Sequence, residues 1–234
     1  MNNEWPEDKE GLSMEYLVTM TTQVPDGTSG AAVGDIRARE AARSRELAAQ
    51  RHLLRLWRPP LEPGEWRTLG LFAAADGAEL ESVLTSMPLR IWRTDEVTPL
   101  SPHPNDPAPN DPAPNDPAPG AGPPGAPAAG DERVEFLTTF TIHIPEGTPA
   151  VAVADTEARE AERARELAGE GHLERLWKLP GQGRTLGLWR ADDSAAMQAI
   201  LASLPLDAWM SVQTTPLSPH PSDPALTGNQ GTQP

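Results

Sequence analysis

The sequence predicts an α+β fold: two ferredoxin-like (βαββαβ) domains paired as a dimeric α+β-barrel-like pseudo-dimer. Three observations predict it. The chain repeats itself, a proline-rich segment separates the copies, and strand and helix signals follow the same order in each copy. Glu15-Tyr16-Leu17 returns as Glu135-Phe136-Leu137, and Pro25-Asp26-Gly27-Thr28 as Pro145-Glu146-Gly147-Thr148. His52-Leu53 with Arg55-Leu56-Trp57 recurs as His172-Leu173 with Arg175-Leu176-Trp177. After a gap of three residues, Arg67-Thr68-Leu69-Gly70-Leu71 matches Arg184-Thr185-Leu186-Gly187-Leu188. The run Thr98 to Pro104 reappears unchanged as Thr215 to Pro221.

Within one copy, Glu15 to Val24 is rich in Thr, Val, Tyr and Met and stops at Pro25, which reads as a strand followed by a turn. A helix follows, to about Arg51 in the first copy and Gly171 in the second. In the second copy Thr148 offers a capping hydroxyl and Pro149 suits the first helical position. Leu53 to Trp57 and Thr68 to Phe72 read as two strands, Asp76 to Met87 as a second helix halted by Pro88, and Trp92 to Thr98 as a last strand. A sheet with helices on one face must cover the other, and that open face is where pockets are expected. The expected organisation is a disordered leader (1–13), domain one (14–104), a linker (105–130), domain two (131–224) and a disordered tail (225–234). In the linker Asn-Asp-Pro-Ala-Pro occurs three times, and prolines that fix φ and lack N–H groups favour an extended spacer.

Composition removes several function classes. A formal charge of −15 opposes binding to a nucleic-acid backbone. With no cysteine, thiolate catalysis, disulfides and Cys-based metal sites are excluded, and the five histidines lack metal-ligand spacing. No apolar run nears the ~20 residues that span a bilayer, and the acidic start lacks the features of a secretion signal. A cytoplasmic protein with no membrane partner is expected.

One charged group stands where charge is costly. At roughly 100° per residue, Val33, Ile36, Ser44 and Leu47 form one stripe of the first helix, with Glu40 in its middle. Glu160 sits likewise among Val153, Thr156, Ala164 and Leu167. A carboxylate facing a sheet loses hydration, its pKa rises, and it can exchange a proton near neutrality. The competing reading is a buried ion pair, with Arg43 or Arg55 neutralising Glu40 and Arg163 or Arg175 neutralising Glu160.

Taken in order, Val24-Pro25, Arg37-Ala38-Arg39-Glu40, Arg55-Leu56-Trp57-Arg58, Met87-Pro88-Leu89 and His103-Pro104 resemble the muconolactone Δ-isomerase family. The second copy shows Glu157-Ala158-Arg159-Glu160, Arg175-Leu176-Trp177-Lys178, Leu204-Pro205-Leu206 and His220-Pro221. The resemblance implies a ferredoxin-like fold, cofactor-free isomerisation of an unsaturated lactone, oligomers, and acid–base roles for Glu40 and Glu160. It places Thr19 and Thr139 where the family usually has a first-strand lysine, and Thr68 and Thr185 where it has a third-strand asparagine. The basic position of the first helix is Arg37 in one copy and Glu157 in the other.

In this reaction one carboxylate moves a proton while a hydrogen-bonding or positive partner holds the dienolate oxygen. Arg55 and Arg175 are the candidates for that partner, and strand parity places Leu53, Arg55 and Trp57 on one face, so that Trp57 and Trp177 either wall the pocket or serve as core or interface packing. His52 and His172 are candidate acid–base groups or partners of helix C-terminal carbonyls; His103 and His220 are further possible site residues, or contact residues, since the resemblance implies arms that pack across a neighbouring subunit. Tethering favours an intramolecular pseudo-dimer, and homo-oligomers are expected beyond it. The alternatives are an isomerase or cyclase of secondary metabolism, a cofactor-free oxygenase, and a non-catalytic ligand-binding or assembly module.

Overall fold

A computed structural model describes residues 13–108 and 132–227; the leader, most of the linker and the end of the tail lie outside them. The first repeat runs β1 (Met14–Thr22), α1 (Gly30–Ala49), β2 (Leu53–Arg58), β3 (Arg67–Ala74), α2 (Gly77–Thr85) and β4 (Arg93–Pro102). The second runs β5 (Val134–Ile142), α3 (Ala150–Gly169), β6 (Leu173–Lys178), β7 (Arg184–Ala191), α4 (Ser194–Ala202) and β8 (Met210–Pro219). A short turn, α5 (Pro224–Thr227), follows, so the ordered arm continues past Pro224, and Ala225 is buried.

Local chemistry explains the element boundaries. Gly27 and Gly147 have φ of 81° and 82°, the left-handed value needed at the third position of a type II turn. Ser29 caps α1 by accepting from the N–H of Ala32 at 3.2 Å. Thr148 does not cap α3. Its hydroxyl donates to the Pro145 carbonyl at 2.6 Å, and Pro149 becomes the cap residue without a side-chain bond. Both long helices end alike: the N–H of His52 reaches Leu47 O at 2.9 Å and that of His172 reaches Leu167 O at 2.8 Å, six-to-one closures with a left-handed residue before them. That residue is Gly171 in the second repeat and Arg51, at φ 62°, in the first.

In each repeat the first strand lies between the third and the last, and the second strand pairs with the third. The two sheets then join, Trp57 opposite Pro219 and Pro102 opposite Trp177, closing all eight strands into one antiparallel barrel, β1-β3-β2-β8-β5-β7-β6-β4. Closure leaves none of the eight strands as a free edge.

Alternation along β1 sends Tyr16, Val18 and Met20 into a core beneath the helices, shared with Leu47, Leu53, Leu56, Phe72 and Leu84. The second repeat has its own helix-side core around Phe136, Leu167, Leu176 and Trp189. The barrel interior is filled too, by Trp57, Leu69, Leu71 and Leu100 against Trp177, Leu186, Leu188 and Leu217. The open sheet face, expected to hold pockets, is therefore consumed by a third core. Each such side chain, when fully buried, contributes about 1.5–3 kcal/mol.

Strand parity fails at one point. The pairing of β2 with β3 shifts between Leu53 and Arg55, and that of β6 with β7 between Leu173 and Arg175. A bulge adds one residue to a strand and flips what precedes it. Leu53 thus joins Leu56 under the helices, while Leu54 and Trp57 face the interior.

Candidate active site

Glu40 leaves α1 on the buried stripe with Ile36, Ser44 and Leu47, and its side chain is 12% exposed. One oxygen accepts the N–H of Leu89 at 2.8 Å, and the other accepts from Arg93 Nη1 at 3.1 Å. Burial pushes its pKa above the usual glutamate value; the Leu89 amide and Arg93 pull it back, and Asp95 adds to the rise. Arg93, at the start of β4, is itself buried and held by Asp95, with Nε to Oδ1 at 2.6 Å and Nη2 to Oδ2 at 3.0 Å. The guanidinium beside Glu40 is thus Arg93. Arg43 instead bonds Glu46 and Ser86 at the surface.

A cavity of about 290 Å³ opens beside this carboxylate, between α1 and the helix-facing side of the sheet. Met20, Thr22, Leu56, Thr68, Met87 and Leu89 supply wall, with Arg93 and Glu40 at one side. Arg37, Arg58 and Trp66 line it as well, and the Arg37 guanidinium lies 5.5 Å from the centroid of the Trp66 ring. Arg37 and Arg58 are both exposed, and neither forms an ion pair among the described residues. The second repeat contributes to the lining as well, through His220, Pro221 and Ser222. Volume and lining suit a single-ring ligand carrying negative charge.

The other residues expected at the site fall elsewhere. Arg55, 1% exposed, lies within a buried acid cluster, donating to Glu135 at 2.8 Å and to Asp223 at 3.1 Å. Asp223 also accepts the N–H of Leu56 at 3.1 Å, and the Trp57 indole donates to Glu135 at 2.7 Å. The second repeat mirrors this: Arg175 binds Glu15 at 2.7 Å and Asp106 at 3.2 Å, and Trp177 donates to Glu15 at 2.6 Å. Arg55, Arg175, Trp57 and Trp177 therefore interlock the repeats and do not line the cavity. Geometry across the barrel decides this, because each guanidinium finds its acids on the other repeat's first strand and on an arm.

Thr68 lines the cavity. Thr185 is its counterpart on β7, whereas Thr19 and Thr139 alternate with the helix-facing residues and point to the barrel interior. His52 Nδ1 lies 3.0 Å from Ala73 O and His172 Nδ1 2.9 Å from Arg190 O, so both bind the neighbouring strand, not the helix end. His103 and His220 each accept a backbone N–H at Nδ1, from Asn105 and Ser222, both at 3.1 Å.

The second repeat keeps the acid and loses its surroundings. Glu160 accepts the N–H of Leu206 at 3.0 Å, and burial again raises its pKa. Arg93 sits opposite Thr22, but its counterpart Met210 sits opposite Ile142. Asp95 opposite Met20 becomes Val212 opposite Phe140. Met210 and Val212 pack against the second helix-side core. Trp66, whose carbonyl accepts from Thr22, is replaced by Gly183, whose carbonyl accepts from Ile142.

Fold and site define a class: an α+β barrel of two repeats with a water-poor helix carboxylate beside a small cavity. The family model described as muconolactone delta-isomerase matches residues 14–106 and again 134–223, and the chain belongs to that family. Muconolactone Delta-isomerase of Cupriavidus pinatubonensis is 29% identical over 87 residues, which is 37% of this chain and 95% of that protein. Muconolactone Delta-isomerase 1 of Acinetobacter lwoffii is also 29% identical, over 37% of this chain and 91% of its own length. Such relatives thus correspond to one repeat. The whole barrel resembles a heme-binding protein from Thermus thermophilus, at 13% identity, TM-score 0.53 and coverage of 94% of this chain and 96% of that one. A chlorite dismutase from Candidatus Nitrospira defluvii matches at 9% identity and TM-score 0.52, covering 88% and 91%. These two likenesses show the shared fold. No described helix is long and apolar enough to cross a membrane.

Proposed function

We propose that this chain is a cofactor-independent isomerase that moves a proton within a small, carboxylate-bearing unsaturated lactone, with Glu40 as the base. The observation that carries the reading is the placement of Glu40: withdrawn from water, raised in pKa, and beside a cavity of about 290 Å³. Glu40 removes the γ-proton of the lactone, and the C–H electron pair passes through the ring to the carbonyl oxygen as a dienolate. The Glu40 carboxylic acid then returns the proton to the α-carbon, regenerating the carboxylate. Protons and electrons balance without a redox partner. Arg37 and Arg58, unpaired among the described residues, attract the substrate carboxylate. The muconolactone isomerases among the relatives support this reaction type. The repeats act as an intramolecular pseudo-dimer, because residues from the arm of one line the cavity of the other.

Incubating the protein with muconolactone in D₂O and following the product by NMR tests the reading. Glu40→Gln keeps the shape and an acceptor for the Leu89 amide but cannot take a proton. Turnover should fall by about 10²–10⁴-fold with folding intact. A Glu40→Gln protein that isomerises at the wild-type rate rejects Glu40 as the base.

A further inference from the structure

We propose that the chain holds one composite catalytic site, in which Glu40 of the first repeat is the base and His220, brought in by the arm of the second repeat, donates its Nε2–H to the substrate oxygen that gains charge. This rests on the isomerase reading above and adds a second catalytic residue and a division of labour between the repeats.

His220 lines the cavity that holds Glu40. Its backbone N–H donates to Leu56 O at 3.0 Å, and three residues on Asp223 is locked against Arg55 and the Leu56 amide. The ring is therefore carried on an arm pinned at two points. The N–H of Ser222 donates to Nδ1 at 3.1 Å, so Nδ1 must present its lone pair and the proton of a neutral ring sits on Nε2. A donor that keeps its own proton suits an enolate oxygen, since it stabilises charge without quenching the base. Burial, then Arg58 and Arg37, push its pKa down to about 4, so the ring is neutral near neutral pH.

The second repeat does not rebuild this arrangement. His103 is posed in the same way, but the residues around Glu160 have turned apolar: Met210 for Arg93, Val212 for Asp95 and Ile142 for Thr22. Glu157 replaces Arg37, putting negative charge where a carboxylate substrate would enter. Glu160 then serves to hold the Leu206 amide and close its helix on the sheet.

Four full-length variants, Glu40→Gln, Glu160→Gln, His220→Ala and His103→Ala, should be assayed for muconolactone turnover, with thermal unfolding as the fold check. His220→Ala should lower kcat about 10²–10³-fold, the loss seen when one such donor is removed, with KM changed less than about threefold. His220→Gln should restore part of the loss. Glu160→Gln and His103→Ala should stay within about twofold of wild type. Equal losses from Glu40→Gln and Glu160→Gln would show two sites and overturn the composite one while leaving the reaction standing. An inactive Glu40→Gln beside a fully active His220→Ala would remove only His220. Glu40→Gln that turns over at the full wild-type rate rejects Glu40 as the base and overturns the composite site with it. In ¹⁵N-histidine spectra, muconolactone should shift the His220 Nε2 resonance and leave His103 unmoved, and wild type that neither binds nor turns over this lactone overturns both proposals.

Discussion

Arg93 is the side chain whose replacement says most about the site, because the second repeat already carries the substitution. Arg93→Met removes the guanidinium 3.1 Å from Glu40 and leaves Asp95, whose side chain is 2% exposed, with Arg90 at 2.9 Å. At an effective dielectric of ~20 the Arg93–Glu40 attraction is about 5 kcal/mol before desolvation is subtracted. Breaking a buried pair from one side typically costs about 3–5 kcal/mol, and the surviving Arg90 contact argues for the lower end, about 3. Arg93→Met with Asp95→Val recreates the Met210 and Val212 pair that packs in the second repeat. Exchange of an ion pair for apolar residues of similar volume is often neutral. The double variant should therefore recover at least about 2 kcal/mol of the loss in urea unfolding at neutral pH, a coupling that a double-mutant cycle isolates. Its Glu40 loses the pull of Arg93, which outweighs the opposing push of Asp95, so the acid limb of kcat should move to higher pH. A single variant costing less than about 1 kcal/mol, or an acid limb that stays put, would refute the reasoning.

Further outcomes follow from the same geometry. Glu40 has a folded pKa above its unfolded value, so its contribution to stability is fully present below the unfolded pKa and is lost as pH rises through the folded one. Glu40→Gln should therefore flatten the fall in stability above the usual glutamate range, as read by melting temperature against pH. Asp223→Ala strips the Arg55 guanidinium and the Leu56 amide of a shared acceptor; it should cost about 3–5 kcal/mol and reduce turnover by loosening the arm, checked by urea unfolding and the lactone assay. Arg51→Gly gives the left-handed position at the end of α1 the residue that Gly171 supplies in the second repeat; relief of the side-chain clash should stabilise by about 1 kcal/mol, visible as a melting shift of a few degrees.

The repeat, the element order and the carboxylate on the helix stripe are readable from residue spacing alone, since periodicity and turn chemistry act locally. What escapes such a reading depends on closure of the barrel. Arg55 and Trp57 carry the chemistry of a ligand site, yet Glu135, Asp223 and the interior core claim them, and only the topology brings those acids within 3.3 Å. A signal does exist: Glu15 and Glu135 precede the aromatic of the first strand in both copies, an odd place for an acid unless it meets a cation. Arg93 is hard to foresee as the partner of Glu40 because it lies on the last strand, with nothing in the helix to point to it. Its absence from the second repeat, where Met210 stands, is the available clue. The bulge in β2 moves Leu53 across the sheet, which alternation cannot foresee.

The claim beneath all of this is that Glu40 is a base because the seam between helix and sheet keeps water from it. Site-resolved ¹³C NMR of its carboxyl through a pH titration reports that directly. The account predicts a midpoint above the usual glutamate range, coincident with the acid limb of kcat. A midpoint at or below the ordinary glutamate value would contradict it.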